Sequence, residues 1–188
     1  LGAGQWYAGE ARLLLQNIQK KYPKDFSKLD TAGIAADLKK SWNRYGVSSA
    51  SAKGKCIIAI ISSTIGIKCQ DELMETQIKE YATSLGKTYG TMPDTAMMEC
   101  INIYHQGGAS ALKRILAKTA KPYTAKGIYA ALNTDPADPK PNQVGDYTTR
   151  QKKVYEFITK YADGGTEQKG ETTMAVRMSN CGHDENGR

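Results

Sequence analysis

Helical periodicity, interrupted by residues that start or stop helices, constrains the fold of this chain more than any other feature. Apolar residues return every three or four positions, which places them on one face of a helix. Asp30, Ser110 and Thr124 are placed to cap helices, and Pro93 is placed to open one. The predicted helices cover residues 7–21, 30–46, 70–85, 93–107, 110–118, 124–132 and 146–161. The chain is therefore expected to be mainly α.

The C-terminal part of the sequence differs from the rest. Residues 163–170 are polar and glycine-containing, as in a linker. Residues 171–179 are richer in strand formers, and residues 180–188 are rich in turn formers. We expect one small β-hairpin there, within a single domain that covers residues 1–188.

The charge balance favours an acidic partner. Lys and Arg total 26 against 19 Asp and Glu, a formal net charge of +7. Nucleic acid, an anionic membrane surface and a bacterial cell wall all fit, and so does a surface whose charge only confers solubility. No apolar run approaches the roughly 20 residues of a membrane helix, so no membrane insertion is expected. The first residues also lack the basic start and apolar stretch of a signal peptide.

Cysteine and histidine give no sign of a metal or of a thiol nucleophile. The four cysteines have no C-x-x-C spacing, and the two histidines match no zinc ligand pattern. Cys100 and His105 lie five positions apart in a predicted helix and so point in different directions. Cys181 and His183 lie in a turn too short to impose a geometry. We expect no metal and no cofactor, and we expect Cys56 and Cys100 to be buried free thiols.

Two groups of carboxylates stand apart from the solvated Asp and Glu of the helices. Glu171 begins the strand-like segment, and Asp184 and Glu185 lie in the turn-rich segment that follows. Their separation suits the two arms of one hairpin. Two carboxylates across a cleft are what glycoside hydrolysis requires, although two acids in a polar tail are more often only solvated.

Several segments resemble a lysozyme-like group of phage and bacterial peptidoglycan hydrolases that is distantly related to the chitosanases. Residues 4–15 (GQWYAGEARLLL) resemble the G-x-x-Q-W helix of that group. Three further segments fit it in order and spacing, and together they cover most of residues 4–161: residues 97–116, 128–132 and 145–155. The resemblance implies a mainly α, lysozyme-like α+β fold, with helices in two lobes around a cleft and a small β-hairpin.

The order of the segments departs from that group. In the group, a catalytic Glu and an N-D-N-G-like turn precede the G-x-x-Q-W motif, whereas here the motif stands at the start of the sequence. Residues 171–188, ending in D-E-N-G-R, would restore the order if joined ahead of Leu1. We therefore expect a circular permutation, with residues 163–170 linking the original ends, or a numbering that starts at an unusual point.

The resemblance also implies roles for residues. Glu171 aligns best with the general acid, with Glu167 as second choice and Glu10 as a competing acid. Asp184 or Glu185 would be the second carboxylate. The residues implied in substrate binding are Gln5 and Trp6 beside the cleft, Tyr104, His105 and Gln106 along it, and Tyr147 and Arg150 near the sugar.

The implied activity is hydrolysis of the glycan strand of peptidoglycan, at the bond between MurNAc and GlcNAc. Lytic transglycosylation and chitosan hydrolysis follow from the same resemblance. A non-catalytic basic helical module that binds wall polymer or nucleic acid is the alternative from a different class. For the leading interpretation we expect a monomer, phage-encoded or secreted, that acts on the bacterial cell wall and does not bind nucleic acid.

Overall fold

The computed structural model of the protein describes residues 1–2, 4–135 and 144–163, and their side chains up to residue 160. Within these residues the chain is mainly helical and contains no strand. The helices are α1 (Ala8–Lys21), α2 (Pro23–Leu29), α3 (Ile34–Asp37), α4 (Ala52–Ser62), α5 (Thr64–Tyr89), α6 (Asp94–Ala117), α7 (Ala125–Asn133) and α8 (Thr148–Asp163). A 3-10 turn, Val144–Asp146, precedes α8. The mainly α prediction is confirmed, while the predicted hairpin lies outside the described residues.

The described residues form two compact units, with the boundary after Thr76, inside α5. In the first unit α2 packs on α1, and α4 packs on α2 and α3. Its core includes Leu14, Leu15 and Ile18 of α1, Ile60 of α4 and Phe26 of α2. In the second unit α6 packs against α7, α8 and the 3-10 turn. None of the described helices is long and apolar enough to cross a membrane.

Most helix starts follow from local sequence. Thr124 caps α7, since its Oγ1 accepts a hydrogen bond from the backbone N–H of Gly127 at 3.1 Å. The Asp30 carboxylate accepts the N–H groups of Ile34 and Ala35 at the start of α3. Pro93 directly precedes α6. These contacts satisfy the free N–H groups of a first turn, so a short sequence window predicts them.

The predicted helix over residues 30–46 is wrong in length, because α3 ends at Asp37. The carbonyl of Asp37 accepts a hydrogen bond from the indole Nε1 of Trp42 at 2.9 Å. The chain folds back there, and both Leu38 and Trp42 are still buried. The prediction that these side chains are buried is thus correct, although the backbone does not form the helix on which it was based.

Two further differences concern a helix that apolar periodicity did not reveal and a helix that is longer than predicted. Helix α4 was not predicted, because its apolar run from Cys56 to Ile61 is too uniform to show a face. Helix α5 continues past Gly86, which was expected to end it. By contrast, the expected break near Gly107 is present: Gly108 has φ 73° and ψ −172° inside α6, a conformation that only glycine adopts freely.

Candidate functional site

A cluster of polar side chains joins α6 to α8 in the second unit. We call it the polar cluster; it consists of Asn102, Gln106, Arg150 and Gln151. Gln151 lies at its centre. Its Oε1 accepts a hydrogen bond from Asn102 Nδ2 at 2.7 Å, and its Nε2 donates to Gln106 Oε1 at 2.8 Å. Two helices that are distant in sequence thus hold each other's amide groups in fixed orientations.

The polar cluster extends from the interior to the surface of the second unit. Asn102 and Gln151 are buried, at 3% and 1% exposure. Gln106 and Arg150 are partly exposed. Arg150 Nη2 donates to Asn102 Oδ1 at 3.2 Å, so the guanidinium is tied to the buried end of the cluster. The partly exposed members are therefore held from inside.

Gln106 has an amide group that can serve a ligand. Its Oε1 is occupied by Gln151, and no hydrogen bond from its Nε2 is found in the described part of the chain. A side-chain amide carries two N–H donors, and this one reaches the surface. The arrangement can donate a hydrogen bond to the hydroxyl or carbonyl oxygen of a polar ligand.

Aromatic rings accompany this amide on α6. Tyr104 lies against Tyr81 of α5, with ring centroids 5.0 Å apart and planes tilted by 58°. His105 also contacts Tyr81, at a centroid distance of 6.2 Å. All three side chains are partly exposed. Tyr104 and His105 thus present partly exposed rings on the helix that carries Gln106, and such rings suit ligands with apolar faces.

The 3-10 turn beside the polar cluster is fixed from two sides. Gln151 Nε2 donates to the carbonyl of Val144 at 2.9 Å. Asp135 accepts both Arg114 Nε at 2.7 Å and the backbone N–H of Gly145 at 3.3 Å. Burial of Asp135 opposes its ionisation, but the hydrogen bonds and charge of Arg114 and the Gly145 N–H hold the pKa of this carboxyl below its usual value. The turn thus brings Tyr147, which is 60% exposed, next to α8 on a rigid support.

No protein family, curated protein or solved structure compared with this chain matches it.

The three N-terminal residues expected at the active site, Gln5, Trp6 and Glu10, differ in their exposure to solvent. Trp6 is 3% exposed and belongs to the hydrophobic core of the first unit. Gln5 is exposed, with a positive φ of 52°, and Glu10 is exposed in the first turn of α1. The buried Trp6 therefore has a structural role. The side chains of Gln5 and Glu10 are accessible to solvent.

The residues expected in the second unit fall into two groups. Gln106 and Arg150 come together through Gln151 and Asn102, which the sequence analysis did not single out. Tyr104 and His105 share the contact with Tyr81. The carboxylates expected to carry the chemistry, Glu171, Asp184 and Glu185 with the second choice Glu167, lie outside the described residues.

One carboxyl that sequence reasoning missed lies close by on α6. Glu99 is completely buried, and burial raises its pKa to about 8. A signal was present in the sequence: Glu99, Asn102 and Gln106 are spaced i, i+3 and i+7 in a largely apolar part of α6, so they share a face.

The described cysteines are buried and offer no reactive thiol at neutral pH. Cys56, Cys69 and Cys100 are buried free thiols, which confirms the expectation for Cys56 and Cys100. Burial, and next the charge of Glu99, raise the pKa of the Cys100 thiol to about 12, so it is not a nucleophile at neutral pH. Among the described residues no three side chains of His, Cys, Asp or Glu converge as metal ligands.

Proposed function

We propose that this chain is a lysozyme-like hydrolase of the glycan strand of peptidoglycan, which acts on the bacterial cell wall at the bond between MurNAc and GlcNAc. The observation that supports this most is the polar cluster. Gln106, held through its Oε1, keeps its amide N–H groups for a ligand, and Tyr104 and His105 add partly exposed rings on the same helix. Sugars of the glycan strand offer hydroxyl and acetamido oxygens to such donors and apolar ring faces to aromatic side chains.

The chemical step in this proposal is acid-assisted cleavage. Glu171 protonates the glycosidic oxygen, and Asp184 or Glu185 activates water or stabilises the positive charge that develops on the sugar. Glu167 and Glu10 are the other candidate acids. In the same proposal, a small β-hairpin carries Glu171 and the second carboxylate. The net charge of +7 favours binding to the polyanionic wall.

Analysis of reaction products tests the activity. The full chain is incubated with purified peptidoglycan, and the soluble fragments are identified by mass spectrometry. Reducing muramic ends are expected. Anhydro-muramic ends would instead indicate a lytic transglycosylase, and cleavage of chitosan alone would indicate a chitosanase. Protein that sediments with the walls and releases no fragment would overturn the proposal in favour of a binding module.

A substitution at Gln106 tests the substrate site. Gln106→Ala removes the amide donor and is expected to lower the rate of wall clearing about tenfold, the effect of one lost hydrogen bond. Lys113→Ala, an exposed position on the same helix, is the control and should clear walls like the parent.

The acid is tested separately. Glu171→Gln is expected to abolish clearing while the protein still sediments with walls, because a neutral amide cannot donate the proton. Full clearing by Glu171→Gln, Glu167→Gln and Glu10→Gln alike would contradict the mechanism.

A further inference from the structure

Glu99 is a buried carboxyl for which the described residues provide no hydrogen-bond partner. The residue is 0% exposed, and neither Oε1 nor Oε2 has a hydrogen-bond partner in the part of the chain that the structure describes. Glutamate is almost never fully buried unless it is paired, because removing a carboxylate from water is costly. A group that violates this rule in a well-packed helix requires a physical explanation.

The position of Glu99 links it to the polar cluster. It lies on α6, the helix that packs against α7, α8 and the 3-10 turn. Asn102 follows Glu99 by one helical turn on the same face, and Asn102 is hydrogen bonded to Gln151 of α8. An opening of α6 at Glu99 would therefore lie one turn from Asn102, a member of the polar cluster.

Tyr89 of α5 lies near Cys100, and burial and next Cys100 raise the pKa of its hydroxyl. Most of the other titratable groups around α6 have partners elsewhere. On the packed elements the titratable side chains that are not solvent-exposed are Tyr129, Arg150 and Tyr155. Tyr129 and Tyr155 stack on each other at 4.3 Å, and Arg150 donates to Asn102. On α6 itself Arg114 pairs with Asp135, and His105 contacts Tyr81. Burial and next the charge of Glu99 raise the pKa of the Cys100 thiol. This thiol donates a hydrogen bond to Met92 Sδ at 3.8 Å.

We propose that Glu99 is a pH-dependent latch of the second unit: protonated, it stays buried and lets α6 pack against α7 and α8; deprotonated, it draws water in and releases this part of α6 together with the polar cluster. The proton passes to solvent, and no covalent bond other than this O–H bond changes. This inference concerns the fold of the second unit and does not depend on the proposed hydrolase activity.

The direction of the pH effect follows from the two environments. In the closed state burial raises the pKa of Glu99 from 4.5 to about 8. In an open, hydrated state the pKa returns to about its ordinary value. Between these two values the closed state holds a proton that the open state has released, so rising pH favours opening. The opening equilibrium constant is expected to increase on the order of 100-fold from pH 6 to pH 9.

Hydrogen exchange detected by mass spectrometry tests the latch in the full chain. Protection of the α6 peptide that contains Glu99, corrected for the intrinsic pH dependence of exchange, should fall about 100-fold from pH 6 to pH 9. In Glu99→Gln, which has the same size and no proton to lose, protection should be independent of pH. Glu80→Gln, at an exposed position of α5 in the second unit, is the control and should behave like the parent.

The first unit provides an internal reference. Trp6 and Trp42 are the two tryptophans of the chain, and both are buried in the first unit. Their fluorescence should stay constant over the pH range in which α6 loses protection.

Equal pH dependence of α6 protection in the parent and in Glu99→Gln would overturn the latch, as would constant protection in the parent. If Glu99→Gln does not fold, Glu99→Met fills a similar volume with an apolar side chain and answers the same question.

Discussion

Asn102 of α6 and Gln151 of α8 are joined by a side-chain hydrogen bond of 2.7 Å, although 49 positions separate them in the sequence. Both side chains are almost completely buried. A buried amide pair of this kind is stabilising only while every polar group stays satisfied, because an unpaired amide in the interior cannot bond to water. The pair therefore specifies how α6 and α8 align, and it positions the partly exposed Gln106 and Arg150.

Replacement of Gln151 by leucine should destabilise the second unit. It leaves the buried Nδ2 of Asn102 and the carbonyl of Val144 without their partners, at a cost of about 3 kcal/mol. Thermal unfolding should show a midpoint lowered by about 10 °C. Lys153→Ala, an exposed position two residues further along α8, should leave the midpoint unchanged. An unchanged midpoint in Gln151→Leu would show that the cluster contributes nothing to the packing of α8.

The Arg114–Asp135 pair should stabilise the protein in a pH-dependent way. Asp135→Asn removes the charge that Arg114 and the Gly145 N–H bind, and it should cost about 3 kcal/mol at pH 7. Because the pKa of Asp135 is lowered in the folded state, its contribution is complete above the unfolded value of 3.8 and is lost as the pH falls through the lower folded value. Urea unfolding should therefore show a larger difference between parent and variant at pH 7 than at pH 3.

Asp37 should be the most important acidic residue of the first unit. Hydrogen bonds from Lys40, Lys53 and Tyr45 hold the pKa of this carboxyl far below its usual value. Asp37→Asn should lower the unfolding midpoint at neutral pH, and the difference from the parent should shrink as acid protonates the carboxyl.

Asp25→Asn is the matched control for that experiment. Asp25 is exposed and approaches Lys28 at 3.7 Å, and surface pairs of this kind contribute little. A midpoint loss in Asp25→Asn as large as in Asp37→Asn would contradict the assigned role of Asp37.

Two glycines of the second unit should respond to alanine with opposite signs. Gly108→Ala forces a side chain into the positive-φ backbone inside α6, at a cost of about 1–3 kcal/mol. Gly86→Ala lies within α5, where an added Cβ meets no atom within 4 Å, and should stabilise the helix by about 1 kcal/mol. Chemical denaturation of both variants measures the difference, and effects of the same sign would contradict the assigned conformation of Gly108.

Tyr147 should affect the proposed wall-degrading activity more than the stability. Its ring is 60% exposed, so Tyr147→Ala should leave the unfolding midpoint unchanged. If the ring stacks on a sugar, clearing of walls should slow about 2–10-fold, and Tyr147→Phe, which keeps the ring, should retain most of the rate. Equal rates for Tyr147→Ala and the parent would remove Tyr147 from the substrate site.

The sequence could predict those features of the fold that depend only on residues close together in the chain. The caps at Asp30 and Thr124 and the break at Gly108 involve atoms within a few residues of each other, so a short window contains all the information. The same holds for the amphipathic face of α1, whose inner residues Leu14, Leu15 and Ile18 are buried as their spacing indicates.

Only the tertiary structure decided how residues from different helices meet. The spacing of Gln106 and Arg150 could not show that Asn102 and Gln151 join them, because the contact depends on how α8 docks on α6. In the same way, a glutamate in a helix is solvated by default, and Glu99 is buried because other elements cover its face of α6. Helix starts and faces follow from local hydrogen bonds and side-chain spacing, whereas the polar cluster and the buried carboxyl arise from packing between segments far apart in the chain.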